Sequence, residues 1–131
     1  MSASENAEAV RRGYDAFTRA DMAALRDLFA PDIQWHANGR NRLAGTFKGV
    51  DSVLGNFGQL AAESNGTFRV EIHDLMATDD HVVVLARSSA TRGAKHFEGN
   101  YAHVFHLSGG KVTESWVLNE GPYAIDEFWA A

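Results

Sequence analysis

Residues 97–119 read FEGNYAHVFHLSGGKVTESWVLN. Phe97 to Leu107 is a long run rich in aromatic and aliphatic residues, Gly109-Gly110 is a two-residue hairpin signal, and Lys111 to Asn119 is a second run. Strand side chains alternate between faces, so Tyr101, His103, Phe105 and Leu107 share one face while Ala102, Val104 and His106 share the other. In the next strand Ser115, Val117 and Asn119 oppose Glu114, Trp116 and Leu118.

The pattern extends upstream. Phe68, Val70 and Ile72 alternate with Arg69, Glu71 and His73, Asp79-Asp80 marks a turn, His81 to Thr91 reads as a strand, and Arg92-Gly93 turns the chain again. Before Gly66 the period changes. Val10, Tyr14 and Phe17 form a helical stripe, Asp21 is a candidate N-cap for a helix burying Leu25, Leu28 and Phe29, and Pro31 stops that helix. Ile33 to Ala37 reads as a short strand, and Val50, Val53, Leu54, Phe57 and Leu60 mark a third helix ended by Ser64-Asn65-Gly66. Gly55 and Gly58 weaken that helix, which points to close packing or to room for a ligand. Helices followed by consecutive antiparallel strands predict an α+β domain spanning residues 1–131, a curved antiparallel sheet wrapped over N-terminal helices around one apolar cavity.

Composition narrows the partners. A net charge of −5 argues against nucleic acid, and Arg11, Arg12 and Arg19 are diluted by Glu5, Glu8, Asp15 and Asp21. Val82 to Ala86, the longest apolar run, is too short to span a bilayer, and the first thirty residues show no signal-peptide pattern. With no cysteine, thiolate chemistry and disulfides are excluded and a cytoplasmic location is the expectation. The six histidines lack ligand spacing, so no metal site and no cofactor are predicted; Gly45 to Gly49 lacks the Lys-Ser/Thr end of a phosphate loop.

The run Tyr14-Asp15-Ala16-Phe17, Ala20-Asp21, Leu25 and Leu28-Phe29-Ala30-Pro31-Asp32 resembles the start of SnoaL-like proteins, within the nuclear transport factor 2-like superfamily of cone-shaped α+β folds. Trp35-His36, Leu43 to Gly49 and Gly110 to Trp116 extend the resemblance over nearly the whole chain. A distant likeness to ketosteroid isomerase, whose site combines an Asp base with a Tyr and a protonated Asp, implies that Tyr14 matches the family tyrosine. It also implies that Ala37 stands where the base would be and His103 where the protonated Asp would be. The aldol-cyclase acid beside the last-strand Trp is absent too, since Val117 follows Trp116.

This reading sets the candidate site. The same resemblance turns Tyr14, Arg87, His103 and Asn119 inward, among Trp35, Leu54, Phe57, Leu85, Phe105 and Val117. His103 is the candidate acid or base, or else a core histidine satisfied by Tyr14. Arg87 pairs with an acid, clamps an anionic ligand, or reaches water from the strand end. Trp35 and His36 point to opposite faces; Trp35 is placed inward, with His36 as the second catalytic candidate. The other sheet face, including Val82, Val84, Val104, Trp116 and Leu118, needs a cover: a homodimer partner, or the segment Tyr123 to Trp129.

The functional expectation is a cone cavity holding a small apolar molecule, aromatic or polyketide- or terpenoid-like and anionic if Arg87 clamps it. If there is catalysis, it is cofactor-independent isomerase, cyclase, hydratase or hydrolase chemistry. The alternatives are a sequestering protein without catalysis and a dimeric interaction module with a filled cavity.

Overall fold

The computed structural model describes residues 2–130. Ser2 and Glu5 form a capping box that starts α1 (Ala3–Thr18), and Asp21 Oδ1 accepts from the Ala24 amide at 3.1 Å to start α2 (Met22–Leu28). The two helices meet at Gly13, where a Cβ would stand 2.6 Å from Leu28 Cδ2. That contact allows only glycine unless Leu28 moves.

Phe29 leaves the helix and opens β1 (Phe29–Ala37) rather than closing α2 as the periodicity predicts. Pro31 lies inside this strand, and the pairing skips from Phe29 to Gln34 around it, as expected for a residue with no amide to donate. β2 (Gly45–Lys48) and α3 (Val50–Glu63) follow, then β3 (Arg69–Ala77), β4 (His81–Arg92), β5 (Lys95–Ser108) and β6 (Lys111–Asn119), and last α4 (Pro122–Trp129). Two of these, β2 and α4, have no counterpart in the sequence pattern.

The sheet is curved and unclosed, in the order β2-β1-β6-β5-β4-β3. Its pairs are antiparallel except β1 with β6, which is parallel and ties the N-terminal half to the last strand. Register shifts between Ile72 and Asp74 and between His106 and Leu107 supply bulges that bend the strands.

The helices pack into the concave face. Val10, Leu25, Ile33, Val53, Val82, Val84 and Val112 are fully buried there. A second cluster joins Leu43, Ala90 and Phe97 to Ile125, Phe128 and Trp129 of α4. The C-terminal helix therefore closes one end of the concave face, and it does not cover the outer one.

Strand β4 corrects the expected sidedness. Val84 pairs with His103 and Val82 with Phe105, so Val82 and Val84 face inward, while Leu85 pairs with Ala102 and Arg87 with Asn100 on the outside. Its apolar run occupies both faces, so alternation there carries no sign. Arg87 settles outward because its guanidinium is solvated and paired there, with Nη2 2.6 Å from Glu98 Oε1 and Nη1 3.0 Å from Asn100 Oδ1.

Gly55 and Gly58 are exposed, and a Cβ at either would meet nothing within 4 Å. Neither glycine is there for close packing.

Candidate functional site

Side chains from α1, α2, β1, α3, β3 to β6 and α4 line one cavity of about 140 Å³. Its size is close to the roughly 150 Å³ of an apolar cavity that takes up benzene. Apolar and aromatic groups dominate: Trp35 meets Phe57 edge-on at 5.0 Å between ring centroids and Phe29 at 5.6 Å. Among the described residues, no Asp, Glu, Lys or Arg lines the cavity.

The polar centre is built on β5. Alternation from Phe105 brings His103 and Tyr101 inward, and the α1 stripe delivers Tyr14 from the opposite wall. The Tyr14 hydroxyl lies 3.1 Å from His103 Nδ1 and 3.2 Å from the Tyr101 hydroxyl. Phe105 stacks on the imidazole at 3.8 Å and Trp35 meets it edge-on at 4.7 Å. His103 Nε2 is buried with no partner among the described residues.

Burial fixes the charge states. It lowers the His103 pKa to about 3, raises Tyr101 to about 12, and raises Tyr14 well above its ordinary value, the nearby Tyr101 adding to that rise. All three groups are neutral near pH 7.

Neutrality also decides the direction of the hydrogen bonds. If Tyr101 donates to Tyr14 and Tyr14 donates to Nδ1, only the Nε2 proton lacks a partner. The reverse chain leaves two groups unmet, the Tyr101 proton and the Nε2 lone pair. The first assignment costs less, so His103, a lining residue, is a neutral imidazole whose buried Nε2–H is an unpartnered donor.

Of the residues singled out from the sequence, Tyr14, His103, Trp35, Phe57, Phe105, Val117 and Asn119 line this cavity together. Leu54 is buried in the core beside it but is not on its wall. Leu85 and Arg87 lie on the outer face, which removes the anion clamp. His36 is outside as well: Nε2 is 2.7 Å from Glu114 Oε2, Nδ1 is 2.9 Å from Thr46 Oγ1, and the ring stacks on Trp116. Strand alternation opposite the inward Trp35 puts it there.

Several positions on the cavity wall escape the sequence reading. Tyr101 was detectable, since it stands two residues before His103 on the same face. Asn56 breaks the apolar stripe of Val53, Phe57 and Leu60, which is a legible signal. Asn38 and Asn41 are not, because the 38–44 loop has no period. Asn38 is tied to Asn119, its Oδ1 accepting from the Asn119 amide at 2.9 Å. Asn41 is held by Asp126 of α4, whose Oδ1 accepts from the amides of Arg40 and Asn41 and from Asn41 Nδ2.

The chain belongs to the SnoaL-like domain family, whose model matches residues 10–115. An uncharacterised protein of Mycobacterium tuberculosis is 35% identical over 131 residues, covering 99% of this chain and 100% of that protein. The structure of Bal32a, from a soil-derived mobile gene cassette, superposes with a TM-score of 0.95 at 38% identity and covers 98% of each chain. TerC, co-crystallised with polyporic acid, shares the fold with a TM-score of 0.83 at 20% identity, over 97% of this chain and 99% of that one. These likenesses agree with the nuclear transport factor 2-like architecture; among similar structures one from Burkholderia xenovorans carries that description. Among the described residues, no helix is long and apolar enough to cross a membrane.

Proposed function

We propose that this protein binds a small, neutral, single-ring molecule carrying a hydrogen-bond acceptor, with a carbonyl oxygen received by His103 Nε2–H. The observation that carries the reading is the unpartnered imidazole N–H of His103, a residue that lines a mostly apolar cavity. A buried donor without a partner costs on the order of 1–3 kcal/mol, and a ligand acceptor recovers that cost. Aromatic walls supply the rest by burial and edge-to-face contact. That TerC was co-crystallised with polyporic acid supports an organic ligand for the shared fold.

The chemistry open to the site is polarisation of a carbonyl by a neutral imidazole. With His103 at about 3 and no carboxylate among the described residues of the wall, none of those residues takes up a proton readily at neutral pH. The reading is therefore binding first, and it favours sequestration over proton abstraction.

Calorimetric titration with benzaldehyde, its near-isostere styrene and the anion benzoate tests this. Benzaldehyde binds best in the wild type, and His103→Leu erases its advantage over styrene. Tighter binding of benzoate than of benzaldehyde would sink the neutral-ligand reading.

The proposal includes a homodimer through the outer sheet face. Val83, Leu85, Val104, Trp116 and Leu118 leave that face apolar, with Leu118 47% exposed, and no described element covers it. Six strands of about nine residues present roughly 800–900 Å², near the ~800 Å² per partner of a stable interface.

A further inference from the structure

We propose that Asn56 is a specificity-determining residue whose side-chain oxygen takes a ligand hydroxyl, so that the preferred ligand is a hydroxyaryl aldehyde or ketone. The inference rests on the cavity reading above and adds a second polar contact to it.

Asn56 is 7% exposed and lines the cavity from α3. It sits in the stripe of Val53, Phe57 and Leu60, where an apolar residue would serve packing better. Half of its amide is explained: Nδ2 donates to the Leu43 carbonyl at 3.3 Å. That bond sets which way the amide faces, because the opposite flip would put two oxygens together. The other half is not explained, since Oδ1 accepts a hydrogen bond from none of the described residues.

The position is also held rigidly. Leu43 is fixed on both sides, its carbonyl by Asn56 and its amide by Asn41 Oδ1 at 2.9 Å. Asn41 is in turn anchored by Asp126. An acceptor that the described residues leave unpartnered, on a buried side chain and a fixed frame, is what selection of a donor requires, because a ligand lacking the donor leaves the oxygen unpaired.

The remaining polar wall groups are accounted for, apart from two. Asn38 donates to the Asn119 backbone carbonyl and accepts from the Asn119 amides, Asn41 bonds Asp126, and Tyr14 and Tyr101 belong to the His103 network. The exceptions are Ser88, buried at 5% exposure, and Asn119 Oδ1; neither has a hydrogen-bond partner among the described residues, and they are the competing sites for a ligand hydroxyl.

The test compares 3- and 4-hydroxybenzaldehyde with 3- and 4-methylbenzaldehyde by calorimetry at mildly acidic pH, where the phenols are protonated. In the wild type at least one hydroxy compound binds about tenfold tighter than its methyl counterpart. Asn56→Leu binds neither hydroxy compound better than its methyl counterpart. A preference that survives in Asn56→Leu, or no preference in a wild type that binds all four, overturns the role of Asn56 and leaves the cavity reading intact. Failure of all four and of benzaldehyde overturns both. If Asn56→Leu does not fold, the crystal structure of the wild type with the tighter hydroxy compound decides. A hydroxyl within about 3.2 Å of Asn56 Oδ1 supports the assignment, and one on Ser88, on Asn119 Oδ1 or in solvent overturns it.

Discussion

The Tyr14 hydroxyl is 3.1 Å from His103 Nδ1, and this contact joins the first helix to the fifth strand across the cavity. It also couples the protonation of one side chain to the stability of the fold. His103 has a pKa of about 3 when folded, below the ~6.5 of an unfolded histidine, so the unfolded chain binds the extra proton first. Stability is therefore fully present above about pH 6.5 and falls as the pH drops toward 3, by up to about 1.4 kcal/mol per pH unit. Urea melts between those limits show this slope, and His103→Gln flattens it. An equal slope in the mutant assigns the acid sensitivity elsewhere. A binding titration centred near neutrality, which the reference pKa of histidine suggests, is not expected from this residue.

Asp126 controls the loop that borders the cavity. Its carboxyl is held below the usual range by the Arg40 amide first and then by Asn41, so the contact persists at neutral pH and weakens as acid protonates it. Asp126→Ala should speed amide exchange at Arg40 and Asn41 without touching the β5–β6 hairpin. Gly39→Ala should do the same, because Gly39 has φ +118° and a Cβ there would stand 2.7 Å from Asp126 Oδ1. Unaltered exchange in both variants would mean that another contact holds the loop.

Gly55→Ala and Gly58→Ala should each stabilise the protein, by about 0.5–1 kcal/mol, since both sites are helical, exposed and free of neighbours within 4 Å. Denaturation midpoints measure this. A loss of stability at either would mean that the bare backbone is needed by something that binds there.

Trp116→Arg should convert a dimer to a monomer, because Trp116 lies on the outer face beside Val104 and against His36. Sedimentation of the wild type at high micromolar concentration is the control. A wild-type monomer at that concentration removes the dimer from the proposal.

Arg87→Leu should leave the affinities for benzaldehyde and benzoate unchanged, since the guanidinium is paired with Glu98 outside the cavity. A selective loss of benzoate binding would return Arg87 to the site.

What could be read in the sequence followed from periods that only one structure satisfies. The stripe of Val10, Tyr14 and Phe17, the Asp21 cap and the Gly109-Gly110 hairpin each have one local solution. Tyr14 and His103 then meet because helix stripe and strand face both point at the same core. The run Val82 to Ala86 has no such period: it is apolar at every position, and its sidedness comes from pairing Val84 with His103, a contact between distant residues. Leu85 and Arg87 were misplaced with it. The four residues of β2 and the eight of α4 are too short to carry a decisive pattern, and both are held by partners elsewhere in the chain. The Asn41–Asp126 contact spans 85 positions and leaves no trace in local pattern.

The cavity wall draws on residues from Val10 to Trp129, so the complete wall exists only when nearly the whole chain has folded. A ligand for this wall recognises only the fully assembled chain, and binding then weighs on the folding equilibrium itself. At a hundred times its dissociation constant it would add about 2.7 kcal/mol to stability. The melting temperature thus becomes an indicator of occupancy that requires no knowledge of what the protein does with its ligand. A library of small ring compounds can be sorted by the heat the protein withstands in their presence.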